Sequence, residues 1–485
     1  MNQSFFQFQN SYVNLGEGFY SKVLPVPVGD PKGVKINVPL LASLGISYNQ
    51  KDESEWVQIL AGNKIPAGAD PLAMAYAGHQ FGHFAMLGDG RALLMGEHIT
   101  PDGRRLDIQW KGSGPTPYSR RGDGRATLSA MLREYLISES MYGLGIKTSR
   151  SLAVIGTGEK VYREQAHAGA VLTRVMESHI RVGTFEYVNH FLGVEALTKM
   201  VDYVIQRLYP DLHTESNKPL ALLEKVCSVQ IDLVLEWMRV GFIHGVMNTD
   251  NMSISGETFD YGPCAFMNVY DPATVYSSID RQGRYAFGNQ ASIAQWNLVC
   301  LANALIPVIH TNEDKAVTLA RQVIDGYPDL FAQRWLNMMA AKLGVESPEE
   351  KDRKWMHQLL DWMKANKADY TDTFRKLSTN PDALTAMNKE DGMIAWRQTW
   401  YNRLEAQPGG IQAAQQKMLL QNPAHIPRNH WVEKALLAAV QQDDYTLFDE
   451  LWSMMQTPYQ EGDYAANTID SSEEFEVSYR TFCGT

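Results

Sequence analysis

The chain has 485 residues, with 55 acidic against 44 basic side chains and a formal net charge of −11; 45% are hydrophobic and 20% charged. That length exceeds one small domain, the balance is that of a folded globular chain, and the acidic excess speaks against nucleic acid as a partner, which demands clustered Lys and Arg. Four cysteines (Cys227, Cys264, Cys300, Cys483) exclude a dense disulfide framework, and no spacing among them resembles a zinc site.

The start, "MNQSFFQFQN", lacks the basic and apolar regions of a signal peptide. Residues 1–70 hold short apolar runs and turn formers such as "PVPVGDPKG", and carry no recognisable site chemistry. From Gly78 to Met176 the pattern predicts strands and one strong helix. "RALLMGEHI" and "RLDIQWK" flank "TPDGR", which reads as a hairpin turning at Asp-Gly. "SLAVIGTGEKVYRE" and "GAVLTRVME" read as further strands. Between these pairs, "RATLSAMLREYLISESMYGLG" repeats Leu128, Met131, Leu132, Tyr135 and Leu136 at helical spacing. After Arg181 the chain turns helical. One segment aligns Leu223, Val226, Cys227, Ile231, Val234, Leu235 and Met238 on a single face, and helical patterns dominate from Gln290 onward. Apolar stretches such as "LVCLANALIPVIH" read as too short for a bilayer. The acidic end, "TIDSSEEFEVSYRTFCGT", reads as a partly mobile tail. The expectation is a cytoplasmic, monomeric protein with no membrane partner.

Chemistry enters with "GHQFGHFAMLGDGRALL", where Gly78, Gly82, Gly88 and Gly90 precede a strand and Arg91 follows. Such glycines offer backbone N–H groups to phosphates, although Gly-Asp-Gly also marks ordinary tight turns. Lys111 closes the strand "DIQWK"; in a kinase-like lobe that lysine pairs with a helical Glu and holds phosphates. "GPTPYSRRGDGRA" adds Arg120, Arg121, Asp123, Gly124 and Arg125 ahead of a helix N-terminus, a setting that favours anions. Within the helix, Glu134 lies on the flank of the apolar stripe and Glu139 nearer its centre, so either can partner Lys111. Arg174 and Arg181 matter only where the fold returns them to the glycine loop.

The most specific stretch is "FIHGVMNTDNMSISGETFDYGP". Mg²⁺ takes hard oxygen ligands, and Asn251 and Asp260 supply two of them, on the arms of a predicted hairpin turning at Gly256. A kinase places its catalytic Asp five residues before the metal-binding Asn. Here that position is Val246, which has no proton chemistry, while Asp250 sits beside Asn251 and can accept a hydroxyl proton.

"HFAMLGDGRA", "LDIQWKGSGPTPYSRRGDGRA", "HGVMNTDNMSISGETFDYGP" and "DRQGRYAFGNQ", with a near-terminal Cys483, closely resemble the selenoprotein O family over nearly the whole chain. The resemblance implies an α+β, protein-kinase-like two-lobe fold, classed as a pseudokinase because the usual Asp is missing. It implies transfer of AMP from ATP to protein side chains, with the nucleotide flipped relative to kinases, and UTP as a further substrate when manganese is supplied. By this resemblance Gly88, Gly90 and Arg91 form the nucleotide loop, Lys111 contacts phosphate with Glu134 as its partner, and Asp123, Gly124, Arg174 and Arg181 make further nucleotide contacts. Asp250 becomes the general base, and Asn251 and Asp260 hold Mg²⁺ or Mn²⁺, Asp260 also facing the nucleotide. The implied divisions are an extension over 1–70, an N-lobe over 71–185, a C-lobe over 186–310 and a helical region over 311–485. Where some members carry a second thiol before "QGRY", this chain has Tyr276, which puts a bridge to Cys483 in doubt, with Cys264 as another partner in space. Two other readings stay open: a conventional phosphotransferase, and an inactive nucleotide-binding scaffold.

Overall fold

The computed structural model describes residues 5–380 and 391–464, and further along positions 466, 475 and 478–482. Its N-terminal half is built on one antiparallel sheet. The strands, in chain order, are β1 (Tyr20–Lys22), β2 (Lys32–Ile36), β3 (Leu72–Met74), β4 (Ala77–Gln80), β5 (His83–Met86), β6 (Ala92–Ile99), β7 (Arg105–Lys111), β8 (Ala126–Thr127), β9 (Arg150–Tyr162), β10 (Ala166–Met176), β11 (Phe242–Ile243) and β12 (Ala265–Phe266). The main sheet runs β1-β3-β6-β7-β10-β9-β2, with β8 added beside β10, while β4–β5 and β11–β12 are separate pairs. Strands from the first 70 residues therefore form both edges.

Alternation along the strands sorts the side chains by face. Leu93, Met95, Ile108, Trp110, Val171 and Val175 join Leu41, Trp56 and Leu60 of two short helices, α1 (Val38–Ser43) and α2 (Glu53–Leu60), in one core. Leu94, Val154 and Leu172 point the other way, into a larger core with α3 (Leu128–Gly143) and the helical half. The register sets Lys111 opposite Leu172 and Gln109 opposite Arg174. Gln109, Lys111 and Arg174 thus share the face that looks toward α3. The Thr127 side chain caps α3 by accepting from the Ala130 amide at 3.4 Å.

The helical half starts with α4 (Val182–Tyr187), α5 (Val194–Leu208), α6 (Lys218–Val240) and α7 (Gln290–Ile309), followed by eight more helices among the described residues. The predicted stripe on α6 is buried apart from half-buried Met238, and Gly241, at φ +76°, ends the helix in the left-handed conformation.

Two expectations need correction. All but the last residue of "LVCLANALIPVIH" lies in a longer apolar segment, Phe287–Ile309, which by length and composition is long and apolar enough to cross a membrane. Half of its most apolar window is buried inside the protein, and it packs on α4 and α6. Its Gln290 and Asn297 amides donate to the Phe242 and Met247 carbonyls at 3.0 Å each, so the helix buttresses the loop between β11 and β12. Second, the arms around Gly256 do not pair with each other. Ser253 bridges to Arg181 and Thr258 to Thr148, because the backbone groups of each arm are satisfied by segments 178–182 and 147–149. The hairpin that does form, β11–β12, brackets the whole loop. Most of the acidic tail lies outside the described residues; within it, Tyr479 bonds Arg133 and Glu433 at 2.8 Å each, and Thr481 bridges to Ser277. Cys483 lies outside the described residues.

Candidate functional site

Asp260 lies where three cations converge. Lys111 Nζ is 3.0 Å from its Oδ1, Arg174 Nη2 bonds the same oxygen, and Arg181 Nη1 stands 3.9 Å from Oδ2. Burial would raise the Asp260 pKa, yet Arg174, Lys111 and Arg181 hold it well below the usual carboxylate range. Asp260 also has φ +61°, a left-handed conformation that Asp tolerates better than most residues.

Glu134 completes the cluster. It accepts from Lys111 Nζ at 2.8 Å and from Arg174 Nε, and its carboxyl is likewise held low. Burial lowers the Lys111 pKa, with Arg174 acting in the same direction against Glu134 and Asp260. Glu139 points elsewhere: it binds Arg150 at 2.7 and 2.9 Å, the Ser151 amide and Asn37. Geometry therefore separates the two glutamates that helical spacing left open.

Arg181 has several partners. It donates to the Asp250 backbone carbonyl at 2.9 Å, lies 3.7 Å from Asp89 Oδ1, and stacks its guanidinium 4.0 Å from the centre of the Tyr76 ring. Asp250 is nine-tenths buried and its Oδ1 has no hydrogen-bond partner. Burial pushes this carboxyl up to about 6 against the pull of Arg181. Asn251, next along the chain, donates its amide N–H to the Val246 carbonyl at 3.1 Å, a bond that does not use its amide oxygen.

The glycine loop is shaped by the segment after β7. A Cβ on Gly88 would come 2.4 Å from the Tyr118 ring, so only glycine fits beneath it. Thr116 Oγ1 donates to the Asp89 carbonyl at 2.6 Å, and Ser119 Oγ donates to that of Gly90. Arg91 follows; burial lowers its pKa, while Asp260 and Glu134 oppose that shift. Asp123 sits farther out, half exposed and clamped by Arg163 at 2.8 and 3.1 Å; the same Arg163 charge reaches Arg91. Gly124, at φ +65°, packs directly on Gly114. The structure thus draws Lys111, Glu134, Arg174, Arg181 and Asp260 into one network with Arg91 and Asp250 beside it, and leaves Asp123 and Gly124 on a flank.

The family model described as "Protein adenylyltransferase SelO" matches residues 3–456. The chain belongs to that family. It is 52% identical over 482 residues to "Protein nucleotidyltransferase YdiU" of Brevibacillus brevis, covering 99% of this chain and 97% of that protein. The relative of the same name from Anoxybacillus flavithermus is 51% identical over 478 residues, with 99% of each chain covered. One from Bacillus cereus is 50% identical over 488 residues, covering 100% of this chain and 99% of its own.

In this SelO-family chain several site groups had no reading from sequence: Tyr118 over Gly88, Tyr76 under Arg181, Gln109 and Arg163. Only strand period offered a signal, since Gln109 precedes Lys111 by two residues on the same face. Gly183 is another. A Cβ there would sit 2.0 Å from the Ala77 carbonyl oxygen and 3.5 Å from the Asp250 Cα. Gly183→Ala must push β4 away from α4, costing about 1–3 kcal/mol of overpacking. Urea unfolding midpoints should fall, and initial transfer rates should fall with them.

Glu257, between the two arms, gives a pH expectation. Burial, with Glu177 adding, pushes its carboxyl from 4.5 to about 8. Between those values the folded chain holds the proton and the unfolded chain has released it. Stability from this group is therefore complete below about pH 4.5 and lost as pH rises toward about 8. Glu257→Gln removes the dependence, so the gap in urea midpoint between variant and parent should move in the variant's favour from pH 5 to pH 8, with those two values taken as roughly bracketing the titration.

Proposed function

We propose that this protein nucleotidyltransferase moves AMP from ATP onto Ser, Thr or Tyr hydroxyls of other proteins and releases pyrophosphate. The observation that carries the reading is the pairing of a cation-saturated Asp260 with a buried carboxylate, Asp250, whose Oδ1 no donor occupies. The Lys111–Glu134 pair, the β-rich first half and the helical second half support a kinase-like two-lobe arrangement with divisions near residues 70, 185 and 310.

Asn251 and Asp260 offer only oxygen ligands, the donor set Mg²⁺ or Mn²⁺ prefers, and they would hold such an ion. When bound, it supplies positive charge against the triphosphate. The remaining work falls to the chain itself. Lys111, Arg174, Arg181 and Arg91 neutralise and orient the phosphates, with Gly88 and Gly90 giving backbone access. Asp250 takes the hydroxyl proton as the acceptor oxygen bonds the α-phosphorus. The bond from that phosphorus to the bridging oxygen breaks, and pyrophosphate carries away the electron pair. Val246, in the position of a kinase base, is consistent with chemistry at the α- rather than the γ-phosphate. UTP with manganese is a second nucleotide for the same cradle, and the cytoplasm is the setting in which ATP and protein acceptors meet.

The test is product analysis after incubation with ATP and an acceptor polypeptide. Pyrophosphate should appear in step with modified acceptor. Accumulation of ADP with a phosphorylated acceptor would instead assign a kinase reaction.

A further inference from the structure

His79 on β4, Glu186 on α4 and Cys300 on α7 meet beside the Asp250 loop without taking part in the cation cluster. The His79 Nδ1, one carboxylate oxygen of Glu186 and the Cys300 Sγ all lie within 4.8 Å of one another. His79 Nδ1 contacts Glu186 Oε1, and the His79 ring is partly open to solvent, which leaves a way in. Glu186 is 6% exposed, and its Oε2 is buried with no hydrogen-bond partner. Burial raises the Glu186 pKa against the opposing pull of Thr249 and His79, and the Thr249 hydroxyl accepts from the His79 amide at 2.7 Å.

We propose that His79, Glu186 and Cys300 bind one Zn²⁺-class cation at a site distinct from Asn251 and Asp260. An imidazole nitrogen, a carboxylate oxygen and a thiolate sulfur form a mixed, borderline-soft donor set. That set suits tetrahedral zinc with a fourth position left for water, and it suits Mg²⁺ poorly. Carboxylate and thiolate together balance the two positive charges. Burial pushes the Cys300 thiol up to about 12, with Glu186 adding and Arg284 opposing. A thiol ligates zinc only as the thiolate, so binding displaces the Cys300 proton and affinity rises with pH.

The site ties together the β4–β5 hairpin, α4 and α7. Gly78 on that hairpin packs against the Asp250 carboxylate, where a Cβ would come 2.4 Å from Oδ1. A cation held here braces the wall on which Asp250 rests. It is a structural clamp, independent of which phosphate is transferred.

The test uses Co²⁺ as probe on chelator-treated full-length protein, with excess Mg²⁺ present to fill the hard-oxygen site. A thiolate-to-cobalt charge-transfer band should saturate at one equivalent and be displaced by Zn²⁺. Cys300→Ser should abolish the band, and Cys264→Ser should retain it. Glu186→Gln should weaken cobalt affinity at least about 10-fold, since even losing an outer partner of a metal ligand costs that much. Circular dichroism checks that each variant folds, and Glu186→Gln carries the test should Cys300→Ser fail to. Cobalt binding without a thiolate band, a band that survives Cys300→Ser, or unchanged affinity in Glu186→Gln would overturn the proposal.

Discussion

Asp260→Ala is expected to all but abolish nucleotidyl transfer, lowering the initial rate by about 10³-fold, the upper end of what losing one preorganised electrostatic group costs. Asp260 is the shared counter-charge of Lys111, Arg174 and Arg181 and one of two proposed metal ligands. Without it, Lys111 and Arg174 keep Glu134 as their shared anion, and Arg181 keeps Asp89 at 3.7 Å. Asp260→Asn keeps the shape and removes the charge, so it should lose nearly as much activity. The stability loss should stay below the ~3–5 kcal/mol of breaking a fully buried pair, because the Asp260 side chain is 23% exposed and Glu134 still pairs with both Lys111 and Arg174. Label incorporation and thermal unfolding, measured on the same preparations, separate the two effects. Near-normal transfer in a folded Asp260→Ala protein would defeat the assignment.

Asp250→Ala should lower kcat by about 10²–10⁴-fold, the usual worth of a positioned general base, while leaving nucleotide affinity close to that of the parent. The asymmetry follows from its contacts. Arg181 is held by the Asp250 backbone carbonyl, which the substitution keeps, whereas the side-chain oxygen Oδ1 bonds nothing. Single-turnover rates and direct nucleotide-binding titrations check this. A raised KM with unchanged kcat would make Asp250 a binding group and leave the reaction without its base.

Much of this site could be read before the fold was known, for reasons visible in particular residues. Period-two alternation in "DIQWK" placed Lys111 at a strand end, and period 3.6 placed Glu134 on a helix close by in sequence; both are local signals. The choice between Glu134 and Glu139 was not local. It depends on Arg150 and Asn37, which sit beside Glu139 only because β9 and α1 flank that end of α3. Arg174 and Arg181 had no pattern of their own; the place of Arg174 follows from β10 lying beside β7, and that of Arg181 from its bridge to Ser253. The turn at Gly256 suggested a hairpin, but the backbone groups of each arm found better partners in distant segments. His79, Glu186 and Cys300 lie so far apart in sequence that cysteine spacing could not reveal them. Long-range pairing, rather than propensity, decided each of these cases.

The central claim is that the α-phosphate moves and the γ-phosphate does not. The most direct measurement incubates the full-length protein with an acceptor polypeptide and ATP labelled at either the α- or the γ-phosphate, with Mg²⁺ and with Mn²⁺, alongside Asp250→Ala. The account predicts label on the acceptor from α-labelled ATP alone, appearing at least about 10²-fold more slowly with Asp250→Ala. Acceptor labelled from γ-labelled ATP, or tight ATP binding with no label transferred from either nucleotide, would contradict it.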